Sequence, residues 1–203
     1  MIVTHLLRAH RIGYMAAIAA AMSALAWAFG VSAINVDLDP LTPPHKVPTV
    51  ELICLVAAVV LAALARPRFW HWERFGGLRT RLAAAAVPVI GTLLVMLPLL
   101  ASVMRLPEGV AWVWLLPNVI ILSGTTFTLS ALLSPALAAA AVTTAYLSNV
   151  VLTASGHDPG VLASYPGVNV NWSLATISVL AAVGVHAYSH GTSRWAQGLI
   201  RNA

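Results

Sequence analysis

Apolar residues in this chain come in long unbroken blocks separated by short polar connections, not in alternation with polar ones. A helix rises about 1.5 Å per residue, so about 20 apolar residues cross a hydrocarbon core of about 30 Å. On that measure six spans are predicted, at Ile12–Ile34, Thr49–Ala65, Leu82–Met104, Val110–Ser134, Ala136–Ala154 and Trp172–His190. Without runs of alternating polarity a membrane β-barrel has no support. The expected fold is all-α: a polytopic membrane protein, one transmembrane domain over residues 1–203 with six transmembrane helices.

The connections orient the bundle, because Lys and Arg collect on the cytoplasmic side. Arg8, Arg11, Arg66, Arg68, Arg74, Arg79, Arg81, Arg194 and Arg201 all fall on one side if the helices alternate, leaving Lys46 and Arg105 on the other. Asp37, Asp39, Glu51, Glu108 and Asp158 lie on the arginine-poor side. Both termini are therefore expected in the cytoplasm. Trp70, Trp72, Trp112, Trp114, Trp172 and Trp195 fall near span ends, where indole rings sit at the headgroups; only Trp27 is expected well within a span. Arg8 and Arg11 before an apolar run, with Val31-Ser32-Ala33 after it, resemble a cleavable secretory signal. That apolar stretch exceeds the 7–15 residues of a signal core, and it is read here as the first helix. Met1–Arg11 reads either as a short amphipathic helix on the inner surface or as a frayed tail.

Composition narrows the class. Of 203 residues 60% are apolar and 8% charged, with a net charge of +5. A soluble domain carries about 25% charged residues, so a water-facing globule is excluded. The basic balance beside apolar spans reads as membrane orientation, and no nucleic-acid partner is expected. The abundance of alanine, and ten Arg against one Lys, read as a high-GC bacterial coding bias; the expected location is a bacterial plasma membrane. No GxxxxGK[ST] loop occurs, so the chain does not carry its own P-loop ATPase. The single cysteine, Cys54, reads as a small buried hydrophobe.

Five segments hold polar chemistry. Arg66–Arg81 contains Phe69 to Phe75, enough for two helical turns between Pro67 and Gly76-Gly77; it reads as a partner-docking element or as positive-inside charge with aromatic anchors. The fourth span carries Asn118, Ser123, Gly124, Thr125, Thr126, Thr128 and Ser130, and the fifth carries Thr143, Thr144, Ser148 and Asn149. Lipid offers these groups no partners, so they serve interhelical hydrogen bonding or line a polar path; Asn118, Ser123, Thr125, Thr126, Ser148 and Asn149 are the path candidates. Pro117 is expected to kink the fourth helix near its outer end, and Leu133-Ser134-Pro135-Ala136 to close a tight cytoplasmic hairpin. The outer connection Ser155–Asn171 reads as a capped surface loop or, through Val161 to Tyr165, as an element dipping back toward the membrane. His186 and His190 share a helix face at metal-ligand spacing, but no further ligand completes a site in sequence, and neither a metal nor a cofactor is expected.

An ion-coupled carrier usually places an ionisable residue inside the membrane. Here none lies near a span centre, Glu51 and Arg105 falling at outer ends, and no 3+3 inverted repeat is visible. Energy is thus expected from another chain. The cytoplasmic termini, the stretch Met1–Arg11, the connection Arg66–Arg81 and the outer connection Ser155–Asn171 together resemble the six-helix permease subunits of ABC-2-type exporters, especially short permeases paired with a separate ATPase. That resemblance implies an ATP-driven exporter in which Trp72, Glu73 and Arg74 contact a cytoplasmic ATPase subunit that binds the ATP. It also implies a second permease subunit, identical or related, to complete the path. No catalysis is then expected on this chain. Two other readings stand beside it. One is a non-catalytic accessory subunit of a larger membrane complex. The other is a rhomboid-like intramembrane serine protease using Ser123 and His186, although Ile121 occupies the first glycine of GxSG.

Overall fold

The computed structural model describes residues 11–37, 45–66, 77–163 and 170–193. Among these the chain forms six helices, α1 (Ile12–Phe29), α2 (Thr49–Leu64), α3 (Gly77–Val103), α4 (Leu115–Leu132), α5 (Pro135–Ala154) and α6 (Trp172–Ser189). Two short strands, β1 (Ala33–Val36) and β2 (His45–Pro48), join α1 to α2. Five of the helices are long and apolar enough to cross a membrane; α2 has 16 residues and spans about 24 Å. The protein is an all-α polytopic membrane protein with one small hairpin.

Three boundaries differ from the sequence expectation. The first helix stops at Phe29, not Ile34, and its continuation becomes β1. Gly30 lies against α3, where an added Cβ would stand 2.7 Å from the Ser102 Cβ, and the Ser32 hydroxyl donates to the Phe29 carbonyl at 2.6 Å. The freed chain pairs antiparallel with β2, Ile34 opposite Val47 and Val36 opposite His45. Trp27 consequently sits in the last turn of α1 and not deep in a span; the Arg105 guanidinium lies over its ring and donates to the Trp27 and Ala28 carbonyls. A cation on terminal carbonyls satisfies orphan acceptors and complements the helix dipole. The fourth helix starts at Leu115, five residues later than expected, after a turn in which Leu115 N–H donates to the Trp112 carbonyl. Pro117 thus falls in its first turn, where a missing N–H costs nothing, and does not kink it. The third helix begins early, at Gly77.

The least oily helix is the hub. In α4 67% of the span is buried inside the protein, against 17–28% in α1, α5 and α6. It packs on α6, α2, α3 and α5. Small residues allow the close crossings: Gly124 abuts Ser178 of α6, and Gly91 of α3 receives the Phe127 ring. The C-terminal carbonyls of α4 are all taken. Arg66 donates to those of Ser130 and Leu133, while Ser193 donates its N–H to Ala131 and its hydroxyl to Leu132. The predicted α4–α5 hairpin forms, with Ser134 as N-cap and Pro135 at the first helical position.

Candidate functional site

A buried carboxyl group organises the end of the bundle that carries the hairpin. Pro48 terminates β2 in an extended conformation and α2 starts at once, which places Glu51 in the first turn of α2 facing inward. Glu51 is 5% exposed. Its Oε1 accepts from Asn118 Nδ2 of α4 at 2.7 Å, and its Oε2 accepts from the Tyr146 hydroxyl of α5 at 3.0 Å. Asn118 also donates to the Ala163 carbonyl and accepts from the Ala163 N–H, each at 2.9 Å. One side chain therefore ties three parts of the chain together, in an environment where an unmade polar bond is costly.

The connection after α5 shows something of both readings over its described part, an exposed loop whose last two residues enter the bundle. A turn in which Asp158 accepts from the Gly160 N–H feeds Leu162 and Ala163 into the bundle, where both are buried. Residues 155–161 stay exposed, while Leu162 and Ala163 turn inward and Ala163 is latched by Asn118.

Beside the carboxyl group lies a small, partly open space of about 20 Å³, lined by His45, Lys46, Glu51, Trp114, Tyr146 and Asn149, among others. Asn149 brings to it a buried Oδ1 that has no hydrogen-bond donor among the described residues. His45 is buried at its rim, and burial lowers its pKa below the ordinary 6.5, opposed by the nearby Asp158. Lys46, Glu51 and Tyr146 are the other ionisable groups on this space. Below about pH 6.5 the unfolded chain takes up a proton that the buried imidazole resists, so stability is present above that pH and declines as pH falls. Between pH 7.5 and pH 5.5 hydrogen exchange at the β1–β2 amides should slow less than the intrinsic, base-catalysed rate does, leaving an excess over the rate expected from pH alone. His45→Gln should remove most of that excess, and an unchanged excess in the variant would refute the assignment.

A second, larger recess of about 310 Å³ runs between α4 and α5. Its walls are apolar, Ile121, Leu122, Val142 and Leu152 among them, with Thr125, Ser148 and Asn149 as polar members. The six path candidates therefore separate. Asn118 belongs to the Glu51 cluster, and Thr125, Ser148 and Asn149 line the recess. Ser123 and Thr126 are buried between helices instead: Ser123 bonds to Thr92 and the Ile120 carbonyl, Thr126 to the Leu122 carbonyl. The Ser123 hydroxyl is thus engaged away from His186, and the serine–histidine pair of the protease reading does not form. His186 is buried, its Nδ1 2.9 Å from the Ala182 carbonyl and its ring beside Phe127, while His190 ends α6 in a left-handed conformation. Among the described residues no group of three His, Cys, Asp or Glu could hold a metal ion. Trp72, Glu73 and Arg74, and the amphipathic stretch up to residue 10, lie outside the described residues.

Glu51 and Tyr146 are what sequence reasoning passed over. Glu51 was legible as an outer-end acid, but its inward direction depends on where α2 begins. Tyr146 lies on the same helix as the polar Asn149, at i−3, and that pairing was the available signal. No protein-family model, curated protein or solved structure matches the chain.

Proposed function

We propose that this chain is the membrane permease subunit of an ATP-driven exporter of the ABC-2 type, set in a bacterial plasma membrane with both termini cytoplasmic. A separate ATPase subunit binds the ATP, and closure of its dimer moves the connection carrying Trp72, Glu73 and Arg74. This chain then reorients by a shift of population, and no covalent chemistry occurs on it.

The observation that carries the reading is the outer face of α5. That helix packs chiefly on α4 and, more lightly, on α2. It turns Thr143, Thr144 and Ser148 outward among Leu147 and Val151, and none of the three hydroxyls makes a hydrogen bond among the described residues. Hydroxyls on the rim of a membrane helix favour a second helix or a watered path over lipid. A second permease subunit packed on α5 would supply both, and would close the recess between α4 and α5 from its open side. The same face suits a subunit whose energy comes from outside, because the described spans hold no charged residue at their centres and Glu51 is held by neutral donors at a helix end.

Two measurements test this. An ATPase should co-purify from gently solubilised membranes and be lost from the complex with Glu73 and Arg74 both changed to Ala. Thr144→Cys, in a chain whose one native cysteine is buried, should cross-link to a neighbouring permease subunit. A chain that transports alone in vesicles, without a nucleotide-hydrolysing companion, would overturn the proposal.

A further inference from the structure

The small space at Glu51 and the recess between α4 and α5 are neighbours, sharing Tyr146, Asn149 and Leu162 in their walls. Their chemistries are complementary halves. The recess, about 310 Å³, is at the lower end of the range for small-molecule sites and offers apolar contact along its length. The polar space, about 20 Å³, has room for one group the size of a water molecule. Two acceptors face that group, with His45 and Lys46 also on the lining. The Glu51 carboxylate takes one hydrogen bond on each oxygen and retains free lone pairs. The Asn149 Oδ1 is buried with no donor among the described residues. Lys46 borders the space but is exposed, His45 lies at its rim, and among the described residues the hydrogen-bond partners of Glu51 are the neutral Asn118 and Tyr146. A cation that brings its own N–H donors meets both acceptors and compensates the charge of an ionised Glu51.

We propose that the two cavities form one binding site for an amphipathic amine, the ammonium head on Glu51 and Asn149 and the apolar body in the recess between α4 and α5. A fatty acid would set its carboxylate against that of Glu51, and an alcohol would leave the charge uncompensated. A quaternary ammonium is too large for the head space and has no N–H to give Asn149. The inference rests on the exporter reading only in naming the class of its cargo; the site stands on its own geometry.

The test is photo-labelling of the full chain in lipid nanodiscs with a diazirine-bearing long-chain primary alkylamine, against the matched alcohol at equal membrane concentration. The amine should label α4 and α5 peptides around Leu122, Val142 and Leu152, and unlabelled dodecylamine should protect them. Glu51→Gln should cut amine labelling at least tenfold and leave labelling by the alcohol unchanged. Asn149→Ala, which removes an acceptor that holds nothing in place, should cut it several-fold and so keeps the test open if Glu51→Gln misfolds. Ala145→Phe, filling the recess, should abolish labelling by the amine there. Equal labelling by amine and alcohol, or amine labelling indifferent to Glu51→Gln and Asn149→Ala in folded protein, would overturn the site. Because no ATPase takes part, such a failure leaves the exporter reading standing; conversely, loss of the ATPase partner leaves the labelling pattern untouched.

Discussion

Asn118→Leu should destabilise the protein by about 2–4 kcal/mol and release the connection at residues 155–163. The substitution keeps the volume nearly constant, so packing loss is small and the effect isolates the amide. Three hydrogen bonds go at once, to the Glu51 Oε1 and to both backbone groups of Ala163. Each was made in a water-poor interior by a residue 1% exposed. A membrane hydrogen bond averages only about 0.6 kcal/mol, but that average includes unfolded states that find new partners. Here the orphaned groups are a carboxyl oxygen of α2 and the N–H and carbonyl of the buried Ala163. Glu51→Gln should cost less, since an amide oxygen still accepts from Asn118 and its nitrogen can donate to Tyr146. Asn118→Asp should be at least as damaging as Asn118→Leu, because it removes the donor and sets a second carboxylate against the first. Denaturant unfolding in nanodiscs measures the order, and protease cleavage near Pro159 reports release of the connection. Stability within about 0.5 kcal/mol of the parent in Asn118→Leu would mean that the amide is not a latch.

Why the spans were legible and this cluster was not follows from what each depends on. A membrane helix announces itself through about 20 apolar residues in a row, a property of the chain alone. All six appear at their expected places in the chain, and the one tight hairpin follows from Ser134-Pro135. Direction is another matter. Glu51 reads as an outer-end acid in any span beginning near Thr49; that it turns inward depends on Pro48 ending a strand, and the strand depends on pairing between Ala33–Val36 and His45–Pro48. Such short strands hold no periodic signal beside an apolar run, so Ile34 reads as helix. The polar residues of α4 show the same limit. Their sequence says that they avoid lipid, and Asn118, Ser123, Thr126 and Ser130 are buried, but it does not say which of Asn118, Ser123 and Thr126 bonds across helices and which bonds within its own turn.

The glycines of the α3–α4–α6 core should separate two kinds of crowding. An alanine Cβ at position 91 would stand 2.1 Å from the Phe127 Cζ, and that ring is fully buried. Overpacking of this kind costs about 1–3 kcal/mol. Because the clash is with a side chain, Gly91→Ala should be rescued largely by Phe127→Leu, which withdraws the ring atoms that an alanine would strike. Gly124→Ala meets Ser178 instead, its Oγ at 2.6 Å but also its backbone C at 2.7 Å and O at 2.9 Å. Trimming Ser178→Ala removes only the hydroxyl, so α4 and α6 would still have to move apart, and rescue should be slight. The helices share their longest interface at that crossing, so separation would also disturb the Phe127–His186 contact one turn farther along. Melting temperatures of the four single variants and two doubles in nanodiscs supply both coupling energies, which should differ by about 1 kcal/mol or more. Equal rescue in the two pairs would show that the α4–α6 crossing is looser than its backbone distances require.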